Sequence, residues 1–238
     1  MNPSLPEGCS IPGVSFQLVE AAQNSYYQIT SERCLRTLNS SMWGGGLSTH
    51  RILMNRQVDK SYMCEDPLAE MHEFMKEKGI PAGHTAAMLT AARVQDFGFS
   101  EHGSDFGLTV CAWATVGLSN KARAGRELRQ DQLYPGTINI IVLVDGELTD
   151  AAMVNAVITA TEAKAAALQD LGITLGTVPD ASATGTTTDA VLIAATQRGP
   201  AFRYAGTSTE LGYRIGRTVY ASVAASTKAY LRWQSRIR

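Results

Sequence analysis

The chain has 238 residues, 45% of them apolar, with a formal net charge of −1; it can bury the core of one large domain or two small ones. Near-neutral charge supplies no basic field to displace counterions, so no nucleic-acid partner is expected. No apolar run is long enough to cross a bilayer, and the opening MNPSLPEGCSIPG lacks the basic and apolar regions of a signal peptide, so a cytoplasmic chain with no membrane partner is expected.

In chain order, Val14–Glu20, Tyr26–Ser31 and Cys34–Asn39 read as short strands, followed by the loop SSMWGGG and a strand over Ile52–Val58. Asp66 then caps a helix with Pro67 at its first position and Gly79 just past its end. Leu68, Met71 and Met75 form its expected core stripe. Three apolar segments follow, Thr85–Val94, Gly107–Val116 and Thr137–Asp145. The loop between the first two is too short for a crossover helix, which predicts antiparallel pairing between them. A polar loop, LSNKARAGRELRQDQLYPG, separates the second from the third. An alanine-rich helix starts near Asp150, Thr177–Asp189 is rich in Thr, Ser, Ala and Gly, and Ala190–Thr196 is a strand. A long helix over Thr209–Trp233 ends the chain, its basic tail complementing the helix dipole. Strands in runs with helices between them predict an α+β fold: a single layered domain spanning 1–238, with a mixed, mostly antiparallel sheet and helices packed on it.

Candidate chemistry begins on the alanine-rich helix. Asn155, Thr159 and Glu162 recur at intervals of four and three and share one line of its surface. With Ala151, Val154, Ile158, Ala165 and Leu168 as the buried stripe, that line borders it and Lys164 points the other way. A carboxylate so placed loses part of its hydration and moves towards the range of a general base; the plainer reading is a solvated glutamate on an amphipathic helix. Gly44, Gly45 and Gly46, after Ser40 and Ser41, could aim backbone N–H groups at an oxyanion or simply make a tight turn. Neither serine has the GxSxG context of a hydrolase nucleophile. ATGTTTDA, residues 183–190, offers many neutral donors and acceptors at a strand mouth, or a Thr-rich turn with Asp189 as turn residue. Thr207 and Glu210 have capping-box spacing. Gly212 and Gly216 strip one helix face, suiting close approach of a backbone or a flat ligand. The histidines are scattered, Cys9, Cys34, Cys64 and Cys111 form no CxxC pair, and no metal site or cofactor motif is evident.

Seven collinear motifs, SSMWGGGL, MLTAA, TVGLSNKARAG, GTINII, TATEAKAAAL, TGTTTDA and YAGTSTELGYRIG, make the chain resemble the adenosylcobinamide amidohydrolases of cobamide salvage. The resemblance implies hydrolysis of the amide joining the corrin ring to its aminopropanol arm, with a cobalt corrinoid as substrate and no further cofactor. A corrinoid rim is a ring of neutral carboxamides, which suits Thr115, Asn139, Asn155, Thr159, Thr184, Thr186, Thr187, Thr188, Gly206 and Thr207 as binding groups alongside Gly44–Gly46. Glu162 is then the expected base, Asp189 its orienting group or the acid for the leaving amine, and Asn120 or Asn139 an oxyanion donor; water, Ser40, Ser41 or a threonine remains as nucleophile. A corrinoid-binding module without catalysis is the alternative from another class, although the chain lacks an Asp-x-His-x-x-Gly cobalt-ligating signature. An amidase of the same fold acting on a smaller substrate is the other. The sequence leaves a homo-oligomer open.

Overall fold

The computed structural model describes residues 9–103, 107–126, 136–176 and 181–236. Residues 127–135 of the polar loop before the third apolar segment, the start of the Thr-rich stretch and the last residue of the basic tail lie outside the described residues. The strands are β1 (Val14–Val19), β2 (Tyr26–Asn39), β3 (Gly46–Gln57), β4 (Thr85–Thr90), β5 (Gly98–Gly103), β6 (Thr109–Val116), β7 (Lys121–Ala122), β8 (Ile138–Asp145), β9 (Glu147–Leu148), β10 (Gly185–Thr186), β11 (Ala190–Ala195) and β12 (Ala201–Phe202). The helices are α1 (Pro67–Glu77), α2 (Asp150–Asp170) and α3 (Glu210–Arg236).

The main sheet runs β4-β3-β2-β11-β8-β6-β5, with β1 on the outer half of β2. Its pairs are antiparallel except β3–β4 and β11–β8. This is the expected mixed, mostly antiparallel α+β arrangement. One expected pairing is corrected. The segment at Thr85 does not pair with the one ending at Val116; β4 lies parallel to β3, reached through α1, and β5 intervenes to pair with β6. The sequence of β5, GFSEHG, is mixed and polar because it is a sheet edge, and so it carried no strand period.

The central strands are buried on both faces, which is why β8 reads as an apolar run interrupted only by Asn139 before Asp145 ends it. Alternate residues divide between two cores. Val110, Ala112, Ala114, Ile138, Ile140, Val142 and Ile193 face α2 and α3. Cys111, Trp113, Ile141, Leu143 and Leu192 face the other way, against Tyr27, Ile29, Leu53, Ala86 and Met88 of the strands beyond β11. In a flat sheet β3 and β8 would be about 14 Å apart, three strand spacings. Instead Asn139 donates to Asn55 Oδ1 at 2.8 Å, so the sheet curls over itself. A register shift in β2 between Thr30 and Leu35 makes the bend, leaving its first half for β1 and its second for β11. α1 covers the outside of this flap with Met71, Phe74 and Met75 on Tyr26, Ile52 and Met54. Leu68, expected in that stripe, is 47% exposed; Phe74 takes its place.

α2 and α3 both begin where β8 and β11 end and lie on the same sheet face. The opposite end of the sheet, where β8 and β11 begin, is called the lower end below.

Candidate active site

At the lower end, four separate stretches of chain are tied together. Thr184 N–H donates to Ala122 O, and Thr184 Oγ1 accepts from Ala124 N–H, both at 2.9 Å. β10 pairs with β7, setting Thr186 opposite Lys121. Asn120 Nδ2 donates to Thr187 Oγ1 at 2.6 Å. Thr188 Oγ1 donates to Gly136 O at 2.7 Å, and Thr137 Oγ1 donates to Thr188 O at 2.6 Å. Ser40 closes the ring by extending the β2–β11 ladder: its N–H donates to Val191 O at 3.0 Å and its hydroxyl accepts from Val191 N–H at 2.9 Å.

Asp189 is the hub. Its carboxylate accepts from Ile138 N–H at 3.0 Å, from Thr186 N–H at 3.1 Å, from the Thr186 hydroxyl and from the Lys164 ammonium. The Lys164 and Asp189 side chains are only 8% and 13% exposed. An ion pair held this far from water persists only with its remaining lone pairs satisfied, and here they are. Gly185 makes it possible: a Cβ there would meet both the Asp189 carboxylate and the Lys164 ammonium. Thr186 is half-buried, while Thr187 and Thr188 are exposed. Asn120 Oδ1, enclosed beside Gly136, has no hydrogen-bond partner among the described residues. A cavity of about 220 Å³ lies beside the same loop, lined by Leu118, Lys121, Ile173, Thr174 and Tyr230 among others.

Lys164 is the residue that sequence reasoning missed. The buried face of α2 carries Ala152, Met153, Ala156, Thr159, Ala160, Ala163, Lys164, Ala167 and Leu168. The expected stripe was therefore phased wrongly, and Val154 and Ile158 are 49% and 51% exposed. The run of alanines at 152, 156, 160, 163 and 167, spaced four, four, three and four, marked the true face. Thr149, one residue before Asp150, caps the helix by accepting from Ala152 N–H at 3.2 Å.

Glu162 is exposed, which corrects the expectation of a desolvated carboxylate. Lying two residues before Lys164, it faces the opposite side of the helix from Asp189. Its neighbours on that line are less exposed. Asn155 is half-buried, and Thr159 donates its hydroxyl to Ala205 O at 2.7 Å, anchoring the loop that carries Gly206 and Thr207. Gly206 O accepts from Thr209 N–H, and Thr207 is exposed. The cap of α3 is Thr209, whose Oγ1 accepts from Gly212 N–H at 3.0 Å; Glu210 pairs with Arg214 instead of serving in a capping box. Gly212 admits backbone, since a Cβ would strike Ala205 O and Gly206 O.

Asn139 and Thr115 are fully buried between the two halves of the sheet. Asn139 Nδ2 also donates to Leu89 O at 2.8 Å, and Asn55 Nδ2 donates to Thr115 Oγ1 at 2.9 Å. These two are committed to joining the layers. Burial pushes the neighbouring Tyr27 phenol up, opposed by its hydrogen bond from Asn55. Ser41 N–H donates to Asn39 Oδ1 at 3.0 Å, and Asn39 Nδ2 donates to Trp43 O at 2.8 Å. Gly44, at φ +64°, packs on the His50 ring and Ala86. Gly45 and Gly46 are exposed, so the triple glycine forms a tight turn leaving the lower end. Burial, with the charge of His84 adding, holds the His50 imidazole below its usual range.

Six of the seven motifs named above reach this lower end, the alanine-rich one through Lys164. The seventh, from Tyr204, closes over the start of α3. Comparison with known proteins gives a consistent picture. A model of the adenosylcobinamide amidohydrolase family matches residues 14–235. An adenosylcobinamide amidohydrolase of Methanosarcina mazei is 31% identical over 190 residues, 76% of this chain and 84% of that one. Another, of Halobacterium salinarum, is 28% identical over 202 residues, 79% and 78% of the two chains. The crystal structure of the PH0078 protein from Pyrococcus horikoshii shares the fold, with a TM-score of 0.54 at 10% identity, over 91% of this chain and 84% of that one.

Proposed function

Since the chain belongs to the adenosylcobinamide amidohydrolase family and is an amidohydrolase, we propose that it cleaves the amide joining the corrin ring to the aminopropanol arm of adenosylcobinamide, releasing adenosylcobyric acid and aminopropanol. The reacting centre is the lower end of the sheet. The observation that carries this placement is the chain of contacts from the Thr186 hydroxyl through the Asp189 carboxylate to the Lys164 ammonium. It has the order of a nucleophile, its base and the group that orients the base.

In this reading Thr186 Oγ attacks the amide carbonyl carbon while its proton passes to Asp189. The tetrahedral intermediate collapses, and the same proton leaves with the aminopropanol nitrogen. Water then hydrolyses the ester on Thr186: Asp189 takes a proton from the water and returns it to Thr186 Oγ as the ester bond breaks, restoring the free hydroxyl. Lys164 keeps the carboxylate in place and brings a positive charge into the site, where preorganised charge counts most for a developing oxyanion. Thr184, Thr187 and Thr188, with the amide of Asn120, meet the carboxamides of the corrin rim. No charged cluster is needed, because that rim is neutral. Ligand amides left without partners there would cost about 1–3 kcal/mol each, which discriminates against unrelated amides. Glu162, turned to the other side of α2, takes no part.

Incubation of the purified chain with adenosylcobinamide, followed by mass analysis, tests the reading. Loss of the aminopropanol arm with appearance of the free acid is expected. Recovery of intact adenosylcobinamide bound to the protein would make it a binding module.

A further inference from the structure

Cys9 and Cys111 are separated by 102 positions but have their sulfurs 2.9 Å apart. Glu101 stands directly opposite Cys111 in the β5–β6 ladder, and Cys111 Sγ donates to its Oε2 at 3.2 Å. All three donor atoms lie within 4.8 Å of one another. Both cysteines are buried, and Glu101 is exposed at the edge. The carboxylate is itself held: Ser10 donates its N–H to Oε2 at 2.7 Å and its hydroxyl to Oε1 at 2.6 Å.

We infer that Cys9, Cys111 and Glu101 form a binding site for a thiophilic divalent cation of the zinc type, which clips the N-terminal arm onto the edge of the sheet. Two thiolates and a carboxylate are a donor set of this class, leaving one tetrahedral position for water on the exposed side of Glu101. At ordinary metal–sulfur and metal–oxygen lengths, tetrahedral ligands stand about 3.5–3.8 Å apart, so seating the ion requires the thiols to part by less than about 1 Å. Binding releases the two thiol protons to solvent, one from each sulfur. The Ser10 contacts have the role of an outer shell that fixes a ligating carboxylate. A disulfide between the cysteines would use neither Glu101 nor its two hydrogen bonds from Ser10, and for that reason the third donor favours the cation. The site also has a structural consequence. Ile11, two residues from Cys9, is part of the core formed with Tyr27 and Trp113, so a cation at Cys9 would hold that core closed.

The test uses the full chain, purified under reductant and freed of metal, titrated with Zn²⁺ against a chromophoric chelator and separately with Co²⁺. Cys34 and Cys64 remain in each single-substitution variant, so differences isolate this site. One tightly held Zn²⁺ per chain is expected, with a thiolate-to-cobalt absorption band that Cys9→Ser and Cys111→Ser abolish. Ser10→Ala should weaken zinc binding about tenfold without removing it. Zinc uptake by the wild type no greater than that of Cys9→Ser would overturn the inference, and so would a mass showing a Cys9–Cys111 disulfide after purification without reductant. If Cys9→Ser or Cys111→Ser fails to fold, titration of a Cys34→Ser/Cys64→Ser chain decides the question: one tightly held Zn²⁺ supports the site and none overturns it.

Discussion

Lys164 and Glu162 stand two residues apart on one helix, and the molecule treats them in opposite ways. Lys164 is buried and committed to Asp189, while Glu162 is exposed. The difference comes from the phase of a helix whose apolar residues run almost all the way round. Small alanines allow α2 to lie close on the sheet and against α3, and the lysine then passes under the helix to reach the lower end. A charge drawn into that position must be paired, whereas a charge facing water is free to do nothing. The comparison teaches that the charged group worth following in this chain is the one its neighbours enclose.

Substitutions on the two sides should separate sharply. Asp189→Asn has the largest effect, because it leaves the Lys164 ammonium buried without its counter-charge. A loss of about 3–5 kcal/mol is expected in urea denaturation, together with loss of turnover. Asn139→Ala should cost about 2–3 kcal/mol by stranding Leu89 O and Asn55 Oδ1 between the sheet layers. A smaller loss, about 2 kcal/mol, is expected for Lys164→Met, since Asp189 keeps its donors from Thr186 and Ile138. Combined with Asp189→Asn, the Lys164→Met change should cost less than the sum by about 1 kcal/mol or more; strict additivity would show that the pair is not coupled. Glu162→Gln is the smallest. Stability should stay within about 0.5 kcal/mol and turnover should be unchanged. Abolished turnover in a folded Glu162→Gln protein would move the reacting centre to the outer side of α2.

Much of this fold was legible in the sequence. Strand β8 announced itself by a run buried on both faces, and α1 by Asp66, Pro67 and Gly79. The phase of α2 was not legible, because an alanine-rich helix gives a nearly uniform apolar signal and Val154 and Ile158 pulled the expected stripe outward. β5 was missed because an edge strand lacks the burial that makes a period. The Thr184–Asp189 loop was recognised as a polar strand mouth, but its partner Lys164 and the curl that sets Asn55 on Asn139 are long-range matters. Cys9 and Cys111 illustrate the same limit: no local spacing points one at the other.

Turnover of adenosylcobinamide by Thr186→Ala and Thr186→Ser tests the central claim most directly. The account predicts that the alanine variant folds normally and loses at least about a hundredfold in rate, while the serine variant, which keeps a hydroxyl on Asp189, recovers much of it. A Thr186→Ala protein that releases aminopropanol at the wild-type rate would contradict it.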